Sequence, residues 1–169
     1  MEEVVLTLRR SRLVGIGSIV TALGLLVARA YGESPSPKVI LTPDQVKWAP
    51  VASLRPGAQS AVMLGAPDKP GPYVYRVKFP PNFKVDAHSH PDNRTYTVLS
   101  GTFYQGLGDK FDETKLMARP AGSFYTHVAG APHFGATRDE EVVLQIASCE
   151  GSTTLTYVNP ADDPRTTKK

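Results

Sequence analysis

The chain has 169 residues, 41% hydrophobic and 21% charged, enough for one domain with a real core. Its net charge of +3 is unevenly placed: residues 1–30 hold Arg9, Arg10, Arg12 and Arg29 against Glu2 and Glu3, and the rest carries 15 basic and 14 acidic side chains. A nearly neutral body excludes a nucleic-acid partner, which needs a basic face, and the single cysteine, Cys149, excludes an internal disulfide or a cysteine-only zinc site.

In chain order, "LRRSR" precedes the apolar run Leu13 to Val27, and "ARA" follows at 28–30. A positive start, a 15-residue apolar stretch and a small-x-small site are the anatomy of a secretory signal. The run is shorter than the roughly 18 to 20 residues a spanning helix needs. The segment 1–30 is therefore predicted to be a signal peptide, with an uncleaved anchor as the alternative. The mature chain then begins near Tyr31 and works in the periplasm or outside the cell, with no membrane partner beyond the leader. Residues 31–48 read as a tether, polar and Pro-rich at "GESPSPK", ending in a short helical turn at "TPDQVKW" with Thr42 as its cap.

Short strands follow. "YVYRVKF" (73–79) alternates, with Tyr73, Tyr75, Val77 and Phe79 on one face and Arg76 and Lys78 on the other. The stretches 94–101, 101–108, 123–128, 141–148 and 153–158 read likewise, and "DKFDETKL" (109–116) can turn helically. Many close-spaced strands with almost no helix predict an all-β protein, an antiparallel barrel or sandwich. Its body spans 49–160, a flexible tail occupies 161–169, and exposed strand edges favour a homodimer.

The histidines are concentrated. His88 and His90 stand at i and i+2, so on a strand both rings point to one face. His127 and His133 stand together further on, and no other histidine occurs. Neutral imidazoles in such pairs suit one divalent transition metal, with Fe, Zn, Mn, Ni and Cu all compatible.

"HSHPDNRTYTVLSG" (88–101) resembles the first cupin motif, in which H-x-H is followed by a glutamate and then a turn glycine. "GSFYTHVAGAPH" (122–133) is similar to the second motif, which ends on a histidine. The resemblance covers roughly residues 50–160 and implies a small single-domain cupin, a jelly-roll β-barrel with a metal inside. His88, His90 and His133 fall on the family's three histidine ligands, and Gly101, Gly122 and Gly130 on its turn glycines. Asn82 replaces the glycine that opens the first motif, and Val128 the proline of the second.

The serious departure is Arg94, which stands at the glutamate position with the parity of His88 and His90. A unit charge about 4 Å from another is worth about 4 kcal/mol at an effective dielectric near 20, so a guanidinium beside a dication needs an offset. Three arrangements answer this. The side chain reaches away to Asp92 or Asp86; or it anchors an anionic substrate, its fork matching a carboxylate; or the metal is absent and the pocket holds an acidic small molecule. His127, if inward, becomes a fourth metal ligand; if outward, it leaves a three-ligand site. Tyr96 and Gln145 are further candidates for contact with the substrate, and Tyr104, Phe124 and Phe134 for the cavity wall. No side chain is an evident catalytic acid or base.

By analogy with three-histidine cupins, the expected function is metal-dependent, dioxygenase-like chemistry on a small, anionic organic molecule. The alternative is a non-catalytic cupin that binds or senses a small ligand or metal.

Overall fold

The computed structural model describes residues 41–152 and 154–166, so the expected leader and most of the tether lie outside the described residues. After a one-turn 3-10 segment at Pro43–Gln45 the described chain is built of strands. These are β1 (Ala49–Pro50), β2 (Gln59–Leu64), β3 (Tyr73–Phe79), β4 (Lys84–Ser89), β5 (Arg94–Ser100) and β6 (Thr102–Leu107). There follow β7 (Met117–Pro120), β8 (Phe124–His127), β9 (His133–Ala136), β10 (Val142–Ser148) and β11 (Thr156–Tyr157). The turn at Pro43 forms as its sequence suggests, with Gln45 Oε1 accepting from the Thr42 N–H at 3.0 Å. "DKFDETKL" yields only a second 3-10 turn, Glu113–Lys115, where Asp112 accepts from Thr114 N–H at 3.0 Å.

Two antiparallel sheets result, ordered β1-β2-β3-β10-β5-β8 and β11-β4-β9-β6-β7. The all-β, cupin-type architecture read from the sequence is the one found. Alternation decides the faces: on β10 the even positions Val142, Leu144 and Ile146 are buried, on β5 Arg94, Tyr96 and Val98, on β3 Tyr73, Val77 and Phe79. All of these but Arg94 meet Val85, Phe103 and Tyr157 of the other sheet, and Leu155 just before β11, in one apolar cluster. Phe79 stacks on Phe103 across it, with centroids 5.6 Å apart. Each such side chain contributes about 1.5–3 kcal/mol by leaving water, which is what holds the sheets face to face.

One turn shows why a motif departure is tolerated, and another why a motif glycine is kept. Asn82 takes φ +56°, a left-handed conformation that asparagine accepts more readily than most residues. Gly101 takes φ +70° in the β5–β6 turn, where a Cβ would lie 2.5 Å from the Glu141 carbonyl oxygen, so this turn demands glycine.

Candidate metal centre

His88 lies on β4 directly opposite His133 on β9, while His90 follows two residues later on the same side. The ring centroids are 4.4 Å (88–133), 4.9 Å (88–90) and 5.2 Å (90–133) apart. Each of the three rings offers one ligand nitrogen, and these atoms all lie within 4.8 Å of one another. All three residues are buried.

Backbone carbonyls orient the rings. His88 Nδ1 donates to the Asp86 carbonyl at 2.7 Å, His90 Nδ1 to that of Thr154 at 3.0 Å, and His133 Nδ1 to that of Ala131 at 3.0 Å. A carbonyl can only accept, so each Nδ1 carries the proton and each Nε2 keeps its lone pair. This is the outer-shell arrangement that presents imidazoles to a metal. The loop before His133 is tied in as well, Gly130 N–H donating to the His90 carbonyl at 2.7 Å.

Electrostatics keep the rings neutral. Burial, reinforced by His133, holds His88 well below the ordinary imidazole range, and burial with the Arg94 charge does the same to His90. His133 is pushed down to about 4, chiefly by burial. His127 falls to about 3 through burial, then His133, then Arg94. A neutral, Nε2-free donor set fits a divalent transition metal.

His127 closes β8, faces inward and lines the same cavity. Its ring lies flat on that of His133, 3.7 Å between centroids at 11°, and edge-on to Tyr96. It stands outside the mutually close set formed by His88, His90 and His133.

Arg94 takes the first of its three arrangements. Although it has inward parity, its guanidinium turns to Asp92, the two side chains being 0% and 1% exposed. Nε donates to Asp92 Oδ1 at 3.1 Å and Nη2 makes a second, shorter bond to the same oxygen. Nη2 also reaches the Ser152 carbonyl at 3.2 Å, and Nη1 the Tyr75 hydroxyl at 3.5 Å. Tyr73 donates to the other Asp92 oxygen at 2.5 Å. The pair is therefore internally neutralised, and Arg94 does not line the cavity. Asp86, the other carboxylate considered for it, is held by Arg55 and Lys84 at 2.6 and 2.7 Å.

Of the remaining candidates, Tyr96 and Phe134 line the cavity. Gln145 does not. It has the parity of Val143 and Ala147, opposite to the buried face of β10, and its Oε1 accepts from Arg76 Nε at 3.2 Å on the far side of the sheet. Phe124 is 65% exposed because its neighbours Tyr125 and His127 are the inward residues of β8. Tyr104 lies under the Arg138 guanidinium, 5.3 Å from its ring centroid, and is also outside the cavity.

The cavity itself measures about 60 Å³, several times the room a single water needs. Besides the four histidines its polar lining is Tyr75, Tyr96 and Tyr125, and no carboxylate or lysine lines it. A wider hollow adjoins it, sharing Leu54, Tyr75, Val77, His90 and Leu155 and opening towards Ser60 and Asp68. Leu54 is held over the junction by the Tyr157 hydroxyl, which donates to the Ser53 carbonyl at 2.8 Å, and by the Arg55–Asp86 pair. Sequence reasoning passed over Tyr125. Its signal was the shared parity with His127.

Comparison with known proteins agrees with the fold. Residues 36–144 match the family model described as the ChrR cupin-like domain. No curated protein matches the sequence. Among solved structures, the polyketide cyclase RemF from Streptomyces resistomycificus is similar at 17% identity with a TM-score of 0.63, over 75% of this chain and 89% of that one. The DMSP lyase DddQ from Ruegeria pomeroyi is similar at 15% identity and TM-score 0.53, over 81% and 92%. KdgF from a Halomonas species follows at 20% and 0.51, over 65% and 94%. At such identities the likeness speaks for the fold alone. With a motif match over well over half its length, and a histidine-lined barrel to accompany it, the chain belongs to the ChrR cupin-like family.

Proposed function

We propose that this protein is a mononuclear metal-dependent cupin acting on a small anionic organic molecule, outside the cytoplasm. The observation that carries the reading is the convergence of three Nε2 lone pairs whose Nδ1 protons are fixed on backbone carbonyls. His88, His90 and His133 hold the ion, with His127 beside them. Bound there, the ion supplies Lewis-acid or redox chemistry, and the dioxygenase-like class is the one tested first.

The charge balance supports an anionic ligand. Three neutral imidazoles leave a dication uncompensated, the Arg94–Asp92 pair sums to zero, and no carboxylate lines the cavity. A negative group on the ligand is what remains to complete the site. The tight apolar walls formed by Phe103, Phe134, Leu144 and Ile146 support a ligand of few heavy atoms. Export rests on the sequence features of residues 1–30.

A second reading, capture or sensing of a small ligand without turnover, is favoured by the lack of any carboxylate base in the cavity. Metal analysis followed by oxygen-electrode assays on a panel of small carboxylates decides between them. About one metal per chain with metal-dependent oxygen uptake, both lost in His88→Ala, supports the enzyme. Tight carboxylate binding with no uptake or product moves the conclusion to the binding protein.

A further inference from the structure

The histidine cavity and the hollow beside it share a wall on which His90 and Tyr75 both stand. The hollow therefore leads directly to a residue of the candidate metal centre. It measures about 300 Å³, the size of a small-ligand pocket, which the histidine cavity alone does not reach. Leu54, Val62, Val77 and Leu155 make much of its wall apolar, and Ser53 and Ser60 add hydroxyls. Among the described residues one charged side chain lines it, that of Asp68, and no lysine or arginine does. The Asp68 carboxylate has no ion-pair or hydrogen-bond partner among the described residues.

Tyr75 lies on β3 with the inward parity of Tyr73 and Val77. Its hydroxyl oxygen accepts from Arg94 Nη1 at 3.5 Å. A guanidinium only donates, so the phenol keeps its own proton to give. No described residue accepts that proton. Arg94 is fixed in turn by Asp92 and by the Ser152 carbonyl, and with Asp92 it carries no net charge. It thus sets the direction of Tyr75 without charging the cavity. A phenol that accepts from a charged donor is itself a stronger donor, because hydrogen bonds in a chain polarise one another. Such a donor, on the same wall as His90, is suited to an oxygen of a ligand.

We infer that the cavity and the hollow form one site for a monocarboxylate with an uncharged, largely apolar tail. Tyr75 donates to an oxygen of the carboxylate, the tail runs past Leu54 into the hollow, and Asp68 turns away ligands carrying a second carboxylate. A hydrogen bond to an ionised oxygen is the stronger kind, which favours the charged end at Tyr75. At the far end a second carboxylate would shed water beside Asp68 and meet no cation. The anionic character of the ligand rests on the function proposed above; the single charge and the placing of the tail are added here.

The test uses full-length protein incubated with one equivalent of zinc, with metal content measured for every variant. Calorimetry compares butyrate, hexanoate and octanoate with the dicarboxylates of equal length, succinate, adipate and suberate, and hexanamide is the uncharged control. The monocarboxylates are expected to bind, the dicarboxylates to bind more weakly, and hexanamide not to bind. Asp68→Asn should narrow the gap about fivefold, the repulsion of two unit charges about 4 Å apart in water. Tyr75→Phe should weaken hexanoate about tenfold at unchanged zinc content, the effect of one hydrogen bond to a charged group. Val62 is 53% exposed on the wall of the hollow, so Val62→Trp is accommodated; it should shut out octanoate while acetate, too short to reach it, still binds. Arg94→Met combined with Asp92→Asn should weaken hexanoate in the wild type but add nothing in the Tyr75→Phe background. Dicarboxylates that bind as tightly as their partners, a gap unmoved by Asp68→Asn, undiminished hexanoate binding in Tyr75→Phe, or octanoate indifferent to Val62→Trp overturns the inference. An equal loss from the Arg94–Asp92 replacement in both backgrounds overturns the part given to Arg94. Zinc bound with no carboxylate response removes this site and leaves the metal centre standing. Carboxylates bound through Tyr75 by protein that takes up no zinc do the reverse.

Discussion

Arg94 and Asp92 give the sharpest energetic prediction. Both side chains are essentially inaccessible, and the carboxylate also accepts from Tyr73 while the guanidinium donates to Ser152 and Tyr75. Removing one member strands the other charge in the barrel, for which about 3–5 kcal/mol is the general magnitude. Arg94→Met and Asp92→Asn alone should each cost about that much, a large share of the roughly 5–15 kcal/mol that holds a domain folded. The double variant carries no buried charge, and the amide oxygen introduced by Asp92→Asn can still accept from Tyr73. It should lose far less than the sum, leaving a coupling of about 2 kcal/mol or more. Urea midpoints for the four proteins measure this. Additive losses, or an Arg94→Met loss below about 1 kcal/mol, would refute the view of the pair as an internally balanced unit. Metal content should be equal in the wild type and the double variant, because Arg94 does not enter the cavity.

Three further outcomes follow from the site and its turns. His88→Ala, His90→Ala and His133→Ala should each lose the metal, measured by elemental analysis, and His127→Ala should keep most of it, since it lies outside the close set. In the metal-free protein the histidines are held below their unfolded value, His133 at about 4 and His127 at about 3. Below pH 6.5 the unfolded chain therefore binds more protons, and stability, intact above that pH, falls as pH drops towards 4 by about 1.4 kcal/mol per pH unit for each neutral ring. Urea midpoints of apoprotein at pH 7.5 and 5.5 test the sign, and His133→Ala should flatten the dependence. At the first-motif turn, Asn82→Gly should be near neutral while Asn82→Ala loses about 1 kcal/mol, because φ +56° suits alanine poorly.

How legible the protein was in its sequence varies with the kind of question asked. The parity of His88 and His90 follows from the two-residue strand repeat, and a strand alternation as regular as that of Tyr73–Phe79 could be read directly. Gln145 shows the same rule neglected: Leu144 and Ile146 already fixed the inward face of β10, and an amide between them had to point outward. Phe124 was open to the same correction from Tyr125 and His127. The partner of Arg94 could be narrowed to Asp92 or Asp86 but not chosen, because the choice depends on Arg55 and Lys84 occupying Asp86 from elsewhere in the chain.

The account stands on His88, His90 and His133 gripping one metal ion through Nε2. A crystal of protein loaded with one equivalent of Zn, with diffraction collected on both sides of the metal edge, tests this most directly. The expected result is a single anomalous peak about 2.0–2.1 Å from the three Nε2 atoms, the usual zinc–imidazole distance. A peak on Nδ1 atoms, a peak elsewhere on the protein, or no peak within reach of these rings contradicts it.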